Sequence, residues 1–245
     1  LNPFRNYLVL PPDLDSQITQ TQRAWNEEIR LTSAANAARA WSLGAWFSDT
    51  RTEGDVNRAI PNLFPIEVSN YRLDAQTVAL SGQIDLLTAQ DWTLTAGLRA
   101  EQVKKDFDRT ETVPAPGRYT KDRTFAVLLP KLTASYAISA DTTATAAVSF
   151  GTKPGGWSAF TGNAALARFD AERTVAFETG IDTSLANKTV NLAARSFVYD
   201  IRDYQIERYF TFTDYLVVNA PRARSVGAEI EASWRPVPAW AFAAT

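Results

Sequence analysis

Cysteine, histidine and methionine are all absent from this 245-residue sequence. Without His or Cys there is no Ser-His-Asp or Cys-His catalysis, no zinc site built on those ligands and no disulfide framework. A net charge of one sign is missing too: Lys+Arg 25 stand against Asp+Glu 27, so no basic field points to nucleic acid. Nor is there an apolar run of roughly 18 residues, which excludes a helical membrane span. That exclusion does not touch a β-barrel, whose strands need only every second residue apolar. Leu1 opens the chain without an initiator Met or a signal peptide, and the chain stops at Thr245 inside what reads as a new strand from Trp240. The sequence therefore reads as an internal piece of a longer protein.

What is present is period-2 alternation. Val78, Leu80, Gly82, Ile84 and Leu86 oppose Thr77, Ala79, Ser81, Gln83 and Asp85. Trp92, Leu94, Ala96, Leu98 and Ala100 oppose a phase holding Arg99 and Glu101. Val175, Phe177, Thr179, Ile181 and Thr183 oppose Glu178, Gly180 and Asp182, and Val226, Ala228, Ile230, Ala232 and Trp234 oppose Glu229, Glu231 and Arg235. The four apolar phases carry no charge in a chain that is 21% charged, as a lipid-facing surface requires. Roughly nine or ten strands are expected, several longer than the about 5–6 residues usual in globular sheets. Candidates of that kind run over residues 17–32 and 189–210.

Connections alternate between short ones, near 33–39, 88–91, 139–141, 184–188 and 236–239, and long ones, near 50–75, 102–124, 151–172 and 202–221. Short turns at one end and long loops at the other are the pattern of an outer-membrane barrel. Trp41, Trp92, Tyr136, Trp234 and Trp240 lie beside the short turns, as an interfacial aromatic girdle would. Two segments fit less cleanly. Glu27 shares a phase with Trp25, Ile29 and Leu31, and the apolar phase slips between Ala194 and Phe197, which predicts a β-bulge near Arg195–Ser196. The fold class expected is all-β: part of an antiparallel transmembrane barrel with short periplasmic turns and long extracellular loops.

Beyond the pattern, ordered motifs carry a resemblance. They are Asn26-Glu-Glu-Ile-Arg-Leu-Thr-Ser33 with Trp41-Ser-Leu-Gly-Ala-Trp-Phe47, Trp92-Thr-Leu-Thr-Ala-Gly-Leu-Arg-Ala-Glu101 and Leu129-Pro-Lys-Leu-Thr-Ala-Ser-Tyr136. Phe150-Gly-Thr-Lys-Pro-Gly-Gly156, Phe177-Glu-Thr-Gly-Ile-Asp182 and Val218-Asn-Ala-Pro221 leading to Gly227-Ala-Glu229 follow in order. From about Gln22 to Trp240 the chain resembles the TonB-dependent outer-membrane receptors, in particular those that import ferric siderophores. It departs from their usual residues at Ala100, Thr152 and Asp182. The resemblance implies an outer-membrane location in a Gram-negative bacterium, a lipid and lipopolysaccharide environment, a ferric siderophore or similar cargo, and no catalysis. It also implies an energising TonB partner acting through a plug domain, with residues 1–245 forming part of the barrel alone. No cofactor or resident metal is expected. The acids Asp49, Glu53 and Asp55 match no EF-hand spacing. A passive porin or an autotransporter barrel shares the strand pattern, and a soluble β-rich carbohydrate-binding domain shares the alternation.

The expected ligand contacts lie in the long connections: Trp157, Phe160 and Arg168; Arg208, Tyr209 and Tyr215; Arg118 and Tyr119. Arg51, Arg58, Tyr71, Arg109, Arg123, Phe169, Tyr204 and Phe210 accompany them. Arginine and aromatic side chains suit an anionic complex with flat groups. The same residues would also serve as ordinary solvated loop residues or in loop-to-loop packing. Arg99, Glu178 and Glu229 are expected to face the lumen as structural charges, and Gly97, Gly180 and Gly227 to leave room there for a plug or a backbone.

Overall fold

In the computed structural model, residues 15–61, 63–209, 215–237 and 239–245 are described. The strands are β1 (Asp15–Thr32), β2 (Trp41–Ile60), β3 (Phe64–Ala89), β4 (Trp92–Val113), β5 (Gly117–Ser139) and β6 (Thr142–Lys153). They continue as β7 (Gly156–Trp157), β8 (Arg168–Phe169), β9 (Glu172–Leu185), β10 (Val190–Tyr209), β11 (Tyr215–Val237) and β12 (Trp240–Ala244). Ten form a single antiparallel sheet in the order β1-β2-β3-β4-β5-β6-β9-β10-β11-β12, and β7 with β8 forms a separate ribbon. Each strand of the large sheet pairs with its neighbour in sequence, skipping only β7 and β8, so the sheet is an up-and-down meander.

The alternation expected from sequence maps onto two faces. We call the face against which the 154–167 connection folds the inner face. Register places Leu43, Gly82 and Leu98 side by side on the outer face, with Ala45, Leu80 and Ala100 in the next row. Val148, Phe177 and Val198 lie side by side further on. None of the described residues covers these side chains: Leu80 is 63% exposed and Val226 65%. Trp92 and Tyr136 sit opposite each other with rings 4.7 Å apart, and Trp234 stacks on Phe242 at 5.5 Å. An exposed aromatic row therefore borders the apolar band beside the short turns.

Three sequence expectations change. The connections at 50–75 and 102–124 are mostly strand: β2 continues to Ile60 before β3 begins at Phe64, and β4 to Val113 before β5 begins at Gly117. They read as loops because the outer face turns charged there, at Asp49, Arg51, Lys104 and Asp106, while backbone pairing continues. The bulge expected near Arg195–Ser196 is absent, since both neighbours of β10 keep an unbroken register across it. Instead Phe197 and Tyr199 turn to the inner face and stack at 4.7 Å, so apolar side chains change face without a backbone irregularity. A bulge falls at Leu86 beside the short turn, where Leu86 and Leu87 are both exposed. Finally, the room at Gly180 and Gly227 is filled by the adjacent strand. A Cβ on Gly227 would lie 2.4 Å from the Phe197 ring, and one on Gly180 2.8 Å from Arg195 Cδ. Gly97 meets only ordinary contacts.

Candidate functional site

The end of the sheet opposite the short turns carries a small core. On the inner face Val56, Tyr71 and Phe107 are buried together, with Leu73, Tyr119, Trp157, Ala159 and Phe160 packed against them. Three strands supply the buried members and the 154–167 connection supplies the cover. Phe107 has Tyr119 at 5.7 Å on one side and Trp157 stacked at 6.0 Å, while Phe160 meets Tyr71 edge-on at 5.8 Å. Tyr71 reaches across β2 at Gly54 to donate its hydroxyl hydrogen to Gln20 Oε1 of β1 at 2.9 Å. Only glycine permits that crossing, because a Cβ at position 54 would lie 2.6 Å from the ring.

Beside this core lies a neutral knot of four charges. Arg58 faces Glu67 in the β2–β3 register, and Tyr71 faces Arg109 in the β3–β4 register. Arg109 is 1% exposed. It donates to Glu67 Oε1 at 2.5 Å, Ser69 Oγ at 2.9 Å, Glu111 Oε2 at 3.1 Å and the Ala159 carbonyl at 3.2 Å. Arg58 donates to Glu67 Oε2 at 2.7 Å and to the Phe160 carbonyl at 3.3 Å. Two guanidiniums and two carboxylates cancel, and Arg109 shares its donors among the partners a buried guanidinium requires. Among the described residues no buried side-chain polar atom lacks a partner.

The connection is also clamped at its base. Lys105 Nζ donates to the Gly155 carbonyl at 2.8 Å, and burial, reinforced by the Lys153 ammonium, lowers the Lys105 pKa. Gly155 passes so close to the returning leg that a Cβ would lie 2.6 Å from the Phe169 carbonyl oxygen. Gln205 of β10 donates to the carbonyls of Lys153, Pro154 and Asp170 at 3.0–3.2 Å. Asn219 of β11 accepts from the Asp170 N–H at 2.7 Å and donates to its carbonyl at 2.9 Å. Arg123 and Arg168 both donate to Asp170 Oδ1, at 2.9 and 3.1 Å, and hold that carboxyl below its ordinary value.

The candidate contacts thus divide. Trp157, Phe160 and Tyr119 belong to the packed core, and Tyr119 also donates to the Thr161 carbonyl at 3.5 Å. Arg118 lies on the outer face in a bidentate pair with Asp108, which its hydrogen bonds hold below the ordinary carboxylate value. Arg168 is exposed beside Asp170. Arg208 and Tyr209 end β10, and Tyr209 is 70% exposed. Tyr215 pairs with Tyr209 through the backbone; its side chain and Phe210 lie outside the described residues. The structure brings Trp157, Phe160 and Tyr119 together and leaves Arg168, Arg208 and Tyr209 in the open. Arg99 pairs with Glu101 at 2.7 Å, Glu178 accepts from the Tyr199 hydroxyl at 2.9 Å, and Glu229 faces Arg195 across the register. Glu67, Ser69 and Gln205 were not singled out from sequence, and Asn219 entered only as part of the Val218-Asn-Ala-Pro221 motif. Locating the hairpin alone would not have found the first two: continuing from Ile60 opposite Phe64 would set Arg58 opposite Ile66, and a register shift between Arg58 and Ala59 brings it opposite Glu67 instead. Among the described residues, no group of three or more acids converges to hold a metal.

A meander with an uncovered apolar band on one face, an aromatic row at the short-turn edge and a packed rim at the other is the wall of a transmembrane β-barrel. The chain belongs to the TonB-dependent receptors: the family described as "TonB dependent receptor-like, beta-barrel" matches residues 2–245. Its place is the outer membrane of a Gram-negative bacterium. The fold is similar to that of the ferric yersiniabactin uptake receptor FyuA from Yersinia pestis, at 22% identity and a TM-score of 0.80 over 94% of this chain and 35% of that one. It is also similar to the siderophore receptor PiuA from Acinetobacter baumannii, at 15% identity and a TM-score of 0.68 over 90% of this chain and 37% of that one. A third similar fold is the copper transporter OprC, at 14% identity and a TM-score of 0.63 over 94% of this chain and 37% of that one. The chain spans about a third of the length of each.

Proposed function

We propose that residues 1–245 are barrel wall of a receptor that captures a scarce nutrient, a ferric siderophore complex, at its outer rim and imports it by TonB-driven movement of a plug. Membership of the TonB-dependent receptor family carries this reading, and the siderophore receptors among the similar folds support it. The wall does no bond chemistry. Its part is to hold the rim in one shape, so that capture does not bear the entropy of ordering long hairpins. Within the rim, the exposed side chains of Arg168, Arg208 and Tyr209 suit an anionic, flat-faced complex, with Tyr215 opposite Tyr209 in the register. Trp157, Phe160, Tyr119 and Arg109 act behind them as support.

The test uses the complete receptor in cells and in detergent. Replacing Arg208 and Tyr209 by Ala is expected to weaken binding of the cognate ferric complex about tenfold or more, while the barrel stays folded. Uptake and affinity unchanged in that variant, and in one lacking the β10–β11 tip, would remove these residues from the binding site.

A further inference from the structure

On the outer face, just beyond the apolar band, two parts of the sheet handle charge differently. Across β2–β5 most cations meet acids. Arg51 pairs with Asp74 at 2.7 Å, Arg72 with the same Asp74 at 2.8 Å, Lys104 with Asp106 at 3.1 Å, and Arg118 with Asp108. Across β9–β11 they meet one another. Arg173 lies directly opposite Arg202, and Arg202 directly opposite Arg222. Arg224 lies one outward position nearer the band, opposite Asp200 and next in its face to the exposed Val226.

Asp200 is the acid among them. It accepts from Arg222 and lies in the field of Arg202 and Arg224 as well. Among the described residues, Arg173, Arg202 and Arg224 make no ion pair. Three arginines directly opposite across three strands repel one another, and the single negative charge of Asp200 offsets only one of them. All four are exposed at the border of a surface that lipid must cover.

We infer that Arg173, Arg202, Arg222 and Arg224 form a binding site for the phosphate groups of lipopolysaccharide in the outer leaflet. A planar guanidinium pairs phosphate oxygens bidentately, and four of them against one carboxylate leave a surplus of three positive charges. The apolar band immediately below accepts the acyl chains of the same molecule, so head and tails are met by adjacent surfaces. A free anion would gain only the first of these contacts. The site is independent of the cargo proposed above, because it faces away from the lumen.

The test is retention of lipid by the complete purified receptor, read by native mass spectrometry with bisphosphorylated lipid A and with dephosphorylated lipid A as probes. The wild type is expected to retain the bisphosphorylated lipid. Replacing all four arginines by Gln should reduce that retention about tenfold or more, and added salt should reduce it in the wild type. Replacing them by Lys should restore most of it, and Arg72→Gln with Arg118→Gln should leave it unchanged. Cargo binding by the Gln variant serves as the fold control and should match the wild type. Equal retention by wild type and Gln variant, or equal retention of phosphorylated and dephosphorylated lipid by the wild type, would overturn the site.

Discussion

Two regions of one sheet are stabilised by opposite arrangements of the same residue types. In the band beside the short turns, Leu80, Leu98 and Phe177 point outward and are covered by none of the described residues. In the rim, Val56, Phe107 and Arg109 are buried at 1–2% exposure, as in a soluble core. Hydrogen bonds between neighbouring strands run through both. The band relies on lipid for its apolar partners, whereas the rim makes its own by folding the 154–167 connection against the inner face. A long hairpin beyond the membrane has lost lipid on its outside and would fray in water. The inner-face core replaces that support and leaves the outer face free to carry paired charges.

The comparison can be broken most severely at Arg109. Replacing it by Met leaves Glu111 without that partner and Glu67 with only Arg58 and the Ser69 hydroxyl, inside a buried cluster. Removing one member of a buried pair costs about 3–5 kcal/mol. Hydrogen exchange should show residues 154–167 losing protection while the strands around Leu80 and Leu98 keep theirs. Loss of protection in both regions together would mean that the rim and the band are one cooperative unit.

A charge in the band gives the reciprocal test. Leu80→Arg places a guanidinium on the lipid face, where the cost is about 2–4 kcal/mol near mid-bilayer. The complete receptor should fold less stably in vesicles, with the rim core intact. An unchanged folding free energy would show that Leu80 does not meet lipid. A smaller effect is expected at Gly54. An Ala there meets the Tyr71 ring, held by both Phe160 and Gln20, and overpacking of this kind costs about 1–3 kcal/mol. Exchange should rise along β2 and β3 near Gly54 and not near Gly97, where the same substitution meets only ordinary contacts.

How far the sequence was legible follows from these two mechanisms. Within the band, lipid imposes one rule on every outward residue, so alternation at Val78–Leu86 or Val226–Trp234 reads directly as strand and face. Trp92 and Tyr136 were placed by the same logic and sit opposite each other. In the rim the rule inverts. The outward residues Arg51, Asp74 and Asp108 are charged and the inward ones mix Phe107 with Arg109, so no single period survives and strands resemble loops. Arg58, Arg109 and Tyr119 looked like available contacts because sequence shows the residue type and not the partner. Their partners, Glu67 and the Thr161 carbonyl, come from the neighbouring strand or from the connection. The phase slip at Phe197 misled for a related reason: a ring lying over Gly227 is a cross-strand fact, invisible along one strand.

The finest distinction within the rim is between its neutral knot and its outer clamp, and acid separates them. Hydrogen bonds from Arg123, then Arg168, hold the Asp170 carboxyl below its ordinary value of 3.8. The folded value is therefore lower than the unfolded one, so the unfolded chain binds more protons between the two. The contribution is complete above about pH 3.8 and is lost as pH falls through the lower, folded value. Asp170 is exposed, so the effect on global stability is small, and the readout must be local. Amides at 168–171 should lose protection in that acid window before those at 157–161, and Asp170→Asn should remove the pH dependence at 168–171. Asp108 titrates in the same direction but pairs with Arg118 on the other face, so its response falls on different amides. If 157–161 opened first, Asp170 would not be the outer clamp, and Gln205 and Asn219 would hold that leg without it.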